Sequence, residues 1–135
     1  MIANPAAGPL SARPGRMDAT ASRAEELRQL RTEYLADLEE QVALIRQHGD
    51  ALLSRRKFKI SYPVLLYVAH QLKGSGGTIG FAEISDLGKK LSESLDSFLS
   101  DTEKRPSPGE LSKAVLAIAR ELDAATVRAR ETLSM

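Results

Sequence analysis

Cysteine and tryptophan are absent from this chain of 135 residues, aromatic residues make up only 4% of it, and its formal net charge is +1. Each shortage excludes something. Without cysteine there is no disulfide and no thiolate metal site, a usage that suits a reducing compartment. With charge nearly balanced, no global field draws the chain toward nucleic acid or anionic lipid, so a partner must be met by a local surface. No apolar run approaches the roughly 20 residues that span a bilayer. The opening MIANPAAGPLSARPGR also lacks the continuous apolar segment of a secretory signal. A cytoplasmic protein is expected, one that binds neither membrane nor nucleic acid. With aromatics so scarce, Leu, Ile, Val and Ala must fill whatever core there is.

What is present suits one soluble domain, with 42% apolar and 27% charged residues. Residues 1–20 carry Pro5, Pro9, Pro14, Gly8 and Gly15 with few large apolar groups, and are expected to be a flexible, disordered tail. The domain proper is expected over 21–135. From about Ser22, Leu27, Leu30, Tyr34, Leu38, Ile45 and Leu52 recur at helical spacings, widened by Leu35 and Val42. One long amphipathic helix follows, with a break or kink expected near Gly49. SRRKFKISYP reads as a connection, and Pro63 suits the first turn of a second helix. A third should run from about Phe81 to Leu99, because Ile84, Leu87, Leu91, Leu95 and Phe98 step by three and four. Ser107, Pro108 and Glu110 spell the start of a fourth, whose apolar face holds Leu111, Val115, Ile118, Leu122, Ala125 and Ala129. No segment alternates like a strand. Four amphipathic helices joined by short polar links pack most simply as an all-α antiparallel four-helix bundle. One chain satisfies the pattern, so a monomer is expected.

The second helix, drawn as a wheel of about 100° per residue, puts Leu65, Val68, Leu72, Ser75 and Ile79 opposite His70, with Ala69 and Gly76 on the flanks. His70 shares its side with Lys73, Gly74 and Gly77, and with Leu66 and Tyr67 one turn earlier. The imidazole therefore faces outward. The glycines beside it admit two readings. Each costs a helix roughly 1 kcal/mol relative to alanine, so the helix could simply end at Gly74 as its C-cap. Alternatively the helix continues, and the missing side chains clear space for a bulky group to approach the ring. Chemically, an exposed imidazole with an unperturbed pKa near 6.5 offers a neutral nucleophilic nitrogen at pH 7. Lys73, one turn on, can screen a phosphoryl group's oxygens as a compact charge.

The segment AHQLKGSGGTIGF closely resembles the active-site helix of histidine-containing phosphotransfer (HPt) domains, carriers in two-component phosphorelays. Ala69, His70, Leu72, Lys73, Gly74, Ser75, Gly76 and Gly80 all match the family pattern, and ISDLGKKL resembles its next helix. The resemblance spans about residues 22–133 and implies that the helix runs on past Gly74. It implies that His70 takes a phosphoryl group from an aspartyl phosphate on a receiver domain and yields it to a second receiver aspartate. On the same resemblance, Lys73 would stabilise the charge, and Gly74, Gly77, Leu66 and Tyr67 would form the berth. The partners implied are receiver domains of response regulators or a hybrid histidine kinase. The chain would be a phosphocarrier with no cofactor of its own and no autonomous ATP-dependent kinase activity, Mg²⁺ being expected on the receiver. In one place the sequence departs from the pattern. Where many relatives carry a Glu or Gln in the third helix that bonds the active ring, this chain has Ser92.

Two other features read as ordinary structure. His48 sits where a helix end is expected, a place that favours histidine through the dipole, and the RRKFK run at 55–59 reads as a solvated loop able to steer an acidic receiver surface. The two histidines lie far apart with no acidic cluster near His70, so no metal site is expected. The rival to a phosphocarrier is a helical adaptor that docks a kinase or receiver without accepting phosphate. Lys73 and the glycines at matching spacing favour transfer.

Overall fold

The computed structural model describes residues 12–100, 103 and 105–134, with side chains described from Ser22 onward. Four helices account for nearly all of it: α1 (Ala12–Ala51), α2 (Arg55–Ile79), α3 (Ala82–Ser97) and α4 (Pro108–Ser134). Among the described residues there is no strand, and no helix is long and apolar enough to cross a membrane. Residues 1–11, most of the expected tail, lie outside the described residues, while the α1 backbone reaches back to Ala12, upstream of where the periodicity begins.

Pairs between helices set the topology. Gly49 and Glu39 on α1 meet Ser112 and Arg130 on α4, so those helices run antiparallel. Lys73 and Tyr62 on α2 meet Ser85 and Leu95 on α3, and Glu83 and Lys90 on α3 meet Arg128 and Glu121 on α4. The four helices thus form a closed antiparallel ring. Its interior is aliphatic, with Leu35, Leu38, Ile45, Leu65, Leu72, Leu91, Leu95, Ile118 and Leu122 all at 2% exposure or less. Burying such a side chain stabilises by about 1.5–3 kcal/mol each, which is how a core without tryptophan holds together.

Some sequence expectations need correction. Helix α1 passes through Gly49 without a break. Gly49 is instead a packing contact: a Cβ there would meet Val115 Cγ1 at 3.0 Å, and its carbonyl accepts from the Ser112 hydroxyl at 2.7 Å. Leu27 and Leu30, expected in the core stripe, are 40% and 55% exposed. The face of α1 that meets the last turn of α4 carries Arg28, Thr32 and Leu35, which line one cleft with Leu133 and Ser134, and at about 100° per residue Leu27 and Leu30 point away from it.

The largest correction concerns SRRKFKISYP. It is no connection but the first third of α2, capped by Ser54, whose side chain accepts from the Lys57 amide, and Pro63 lies inside the helix. The spacing of Phe58, Ser61, Tyr62 and Leu65 explains it, since together they form an inward helical face. Phe58 stacks near Tyr62 with centroids 5.5 Å apart and near Phe98 at 4.9 Å. Burial pushes the Tyr62 phenol above the ordinary tyrosine range, and the nearby Asp96 charge adds to this. Pro63 faces solvent, so the carbonyl it leaves without a partner can be hydrated. A mid-helix proline costs roughly 3 kcal/mol, and this aromatic packing offsets it.

The start of α4 is a capping box. The Glu110 amide donates to Ser107 Oγ at 3.1 Å, and the Ser107 amide donates to Glu110 Oε1 at 2.9 Å. Ser107→Ala is expected to cost about 1 kcal/mol in urea unfolding. The Ser107 amide, then its hydroxyl, hold the Glu110 carboxyl below the usual glutamate range. A lowered folded-state pKa stabilises above the unfolded value, and that contribution is lost as pH falls through the folded one. Glu110→Gln should therefore melt below the parent at neutral pH and converge with it in acid.

Candidate functional site

His70 stands mid-way along α2 and is exposed, as are Tyr67, Lys73, Gly74 and Gly77, while Leu66 is half-buried. Leu65, Val68, Ala69, Leu72 and Gly76 turn inward. The wheel is confirmed in outline, with Ser75 and Ile79 only half-buried and the buried stripe swung toward Ala69 and Gly76. Tyr67, 65% exposed, is the one aromatic among the described residues that is neither buried nor half-buried. No described residue bonds the His70 ring. Ser92 is half-buried on α3 and makes no hydrogen bond to it.

The helix does not stop at Gly74. It runs to Ile79 and ends in a Schellman motif, where Gly80 adopts a left-handed φ of 99°. There the Phe81 amide donates to the Gly76 carbonyl at 2.7 Å and the Gly80 amide to Gly77 at 3.2 Å. Several side chains from other elements hold this weak stretch. Arg31 Nε donates to the Ile79 carbonyl at 3.0 Å. The Tyr34 hydroxyl lies 2.9 Å from Ser75 Oγ. Burial raises the Tyr34 phenol pKa, and its bond to Ser75 partly opposes that. Ser85 Oγ donates to the Lys73 carbonyl at 2.6 Å.

The glycines divide into two kinds. A Cβ on Gly76 would stand 2.7 Å from the Ser85 amide nitrogen, and one on Gly88 would stand 2.6 Å from the Lys73 nitrogen and 2.8 Å from Leu72 Cβ. These two bring α2 and α3 backbone to backbone directly behind the exposed face. A Cβ on Gly74 would meet nothing within 4 Å, and one on Gly77 would meet only the Ser85 side chain, at 3.5 Å. The bundle does not need glycine at 74. Gly88, Ser85, Tyr34 and Arg31 were missed by sequence reasoning because they sit on other helices. The signals for Gly88 were a small residue amid the α3 apolar stripe and its place in ISDLGKKL.

The remaining histidine belongs to the architecture. His48 Nδ1 lies 2.9 Å from the hydroxyl of buried Ser61, tying the end of α1 to α2. Among the described residues no cluster of acidic or histidine side chains could hold a metal ion. What the outward face of α2 offers is one accessible imidazole, a cation one turn along, and an unfilled strip of backbone, all on a helix held from behind. A search against family models matches the Hpt domain over residues 29–129. No curated protein and no solved structure gives a significant match.

Proposed function

The chain belongs to the Hpt domain family, whose members act in phosphorelays alongside receiver domains and hybrid kinases, and from that premise we propose that His70 is its phosphoryl acceptor. The observation that carries the reading is the exposed ring beside exposed Lys73 and open Gly74 on a helix whose back is locked to α3. The solvent-facing ring nitrogen attacks the phosphorus of an aspartyl phosphate on a receiver domain. An N–P bond forms as the acyl O–P bond breaks, and the receiver's carboxylate leaves. In the second step another receiver's carboxylate attacks, the N–P bond breaks, and the imidazole is released neutral. The metal ion and most of the electrostatic catalysis belong to the receiver. Gly74 and Gly77 leave room for it to close on the ring, and Leu66 and Tyr67 give it apolar contact. Ser92 makes no direct hydrogen bond to the ring, so any support it gives passes through water or a neighbour.

Lys73 supplies charge from a backbone fixed by the Ser85 hydroxyl and the close approach of Gly88. Lys73→Ala is expected to slow transfer roughly tenfold, about 1.4 kcal/mol of barrier, with a melting temperature close to the parent's because the side chain is exposed. Rapid-quench transfer rates beside thermal melts check this.

The test of the assignment is transfer itself. Incubation with a phosphorylated receiver or hybrid kinase should leave a label on the chain that resists alkali, is lost in acid, and passes to a second receiver. A stable complex with no label would instead establish the docking adaptor.

A further inference from the structure

The first two turns of α2 carry Arg55, Arg56, Lys57 and Lys59, all exposed. No acidic residue stands in that first turn, so these cations crowd the positive pole of the helix, where the dipole disfavours them. Four cations elsewhere on the bundle stitch helices together, in Arg46–Asp123, Lys90–Glu121, Arg128–Glu83 and Arg130–Glu39. Among the described residues none of the four α2 cations has such a partner. With a whole-chain charge of only +1, this is a local excess of positive charge that no ion pair among the described residues offsets.

The patch is continuous with the site. Arg56, Lys59, Ile60, Pro63, Tyr67 and His70 follow one outward stripe of α2, with Ile60 67% and Tyr67 65% exposed. At a rise of 1.5 Å per residue, Lys59 lies about 16 Å and Arg56 about 21 Å along the helix from His70. A standard interface covers about 800 Å² of each partner, a patch roughly 30 Å across, so one docked protein reaches both.

We propose that this basic turn is the electrostatic half of the docking surface, seating an acidic patch on the receiver domain that exchanges phosphate with His70. The proposal rests on the phosphocarrier reading of that residue. The occupant's face is specified by the stripe: carboxylates at one end against Arg55, Arg56 and Lys59, apolar side chains over Ile60 and Tyr67, and the phospho-accepting aspartate at His70. Steering of this kind acts on encounter rate more than on the chemical step.

The test compares two phosphodonors on the full chain and its Arg55→Glu/Arg56→Glu/Lys59→Glu variant. One is the receiver domain that labels the parent in the transfer assay. The other is phosphoramidate, which has no surface to dock. Acidic residues suit a helix start, so the variant should melt no lower than the parent. With the receiver at low salt (about 50 mM), kcat/KM should fall about tenfold or more. The gap should close as salt rises, and the rate at saturating receiver should be kept. Phosphoramidate labelling should be unchanged. Unaltered receiver transfer at low salt would overturn the proposal. So would an equal loss with both donors, which would mean damage to the site, or loss only of binding to duplex DNA or anionic vesicles, which would assign the patch to those ligands. A parent chain that takes label from neither donor refutes the His70 reading itself, and this proposal with it.

Discussion

His70→Gln is expected to fold like the parent and to carry no transferable phosphoryl group. The two halves of that statement have separate grounds. The ring is exposed and bonded to no described residue, so its replacement removes no packing and no internal hydrogen bond. Surface changes of that kind usually stay within about 0.5 kcal/mol. Glutamine's amide has no nucleophilic lone pair comparable to imidazole's, so the covalent step is lost altogether, and label should drop by about three orders of magnitude or more, to background. His48 cannot substitute. It is engaged with Ser61 at the junction of α1 and α2. Phosphate stoichiometry after incubation with a phosphorylated receiver, beside a circular dichroism melt, measures both halves. Stoichiometric label surviving in a folded variant would move the acceptor elsewhere.

Alanine at Gly88 and alanine at Gly74 should change stability in opposite directions. In a helix interior the exchange by itself gains roughly 1 kcal/mol. At Gly88 the new Cβ would stand 2.6 Å from the Lys73 nitrogen and 2.8 Å from Leu72 Cβ. The first of these is backbone and cannot rotate away. Overpacking of this sort costs about 1–3 kcal/mol or more. Here α2 and α3 must separate, so a net loss is expected, seen as a fall of several degrees in melting temperature. Because the displaced segment carries Lys73, transfer should slow as well. At Gly74 a new Cβ would meet no side chain and no backbone beyond its own turn of helix within 4 Å, and alanine should raise stability by up to about 1 kcal/mol while slowing transfer by crowding the berth. Urea unfolding and transfer rates on the two variants separate these effects. A stabilised Gly88→Ala would mean that the close backbone approach behind the site is not needed.

Much of this was legible in the linear sequence, and the exceptions share a cause. The Ser107, Pro108 and Glu110 start of α4 reads directly, because a capping box is built from neighbours in the chain. The outward placement of His70 followed from the period of Leu65, Val68 and Leu72 alone. The early turns of α2 were misread because Pro63 is a strong local signal for a helix start. What overrides it is the contact of Phe58 and Tyr62 with Phe98, distant in sequence. The glycines beside His70 admitted two readings, a helix end at Gly74 or a strip cleared for a visitor. Only the packed bundle distinguishes Gly76 and Gly88, which admit a neighbouring backbone, from Gly74, which admits open space. Leu27 and Leu30 continue the helical pattern, yet the face of α1 that meets α4 at this end carries Arg28, Thr32 and Leu35 instead.

The sequence by itself determined that four amphipathic helices form, that they hide their aliphatic stripes in one bundle, and that a histidine and a lysine share an outward face. Those are properties of each segment's own hydrogen bonding and 3.6-residue period. The tertiary structure alone decided where α2 begins, which glycines are structural, and how the helix beyond Gly74 survives. Each of those turns on atoms from a second helix coming within a few ångströms, and no local pattern encodes which residue will stand opposite another.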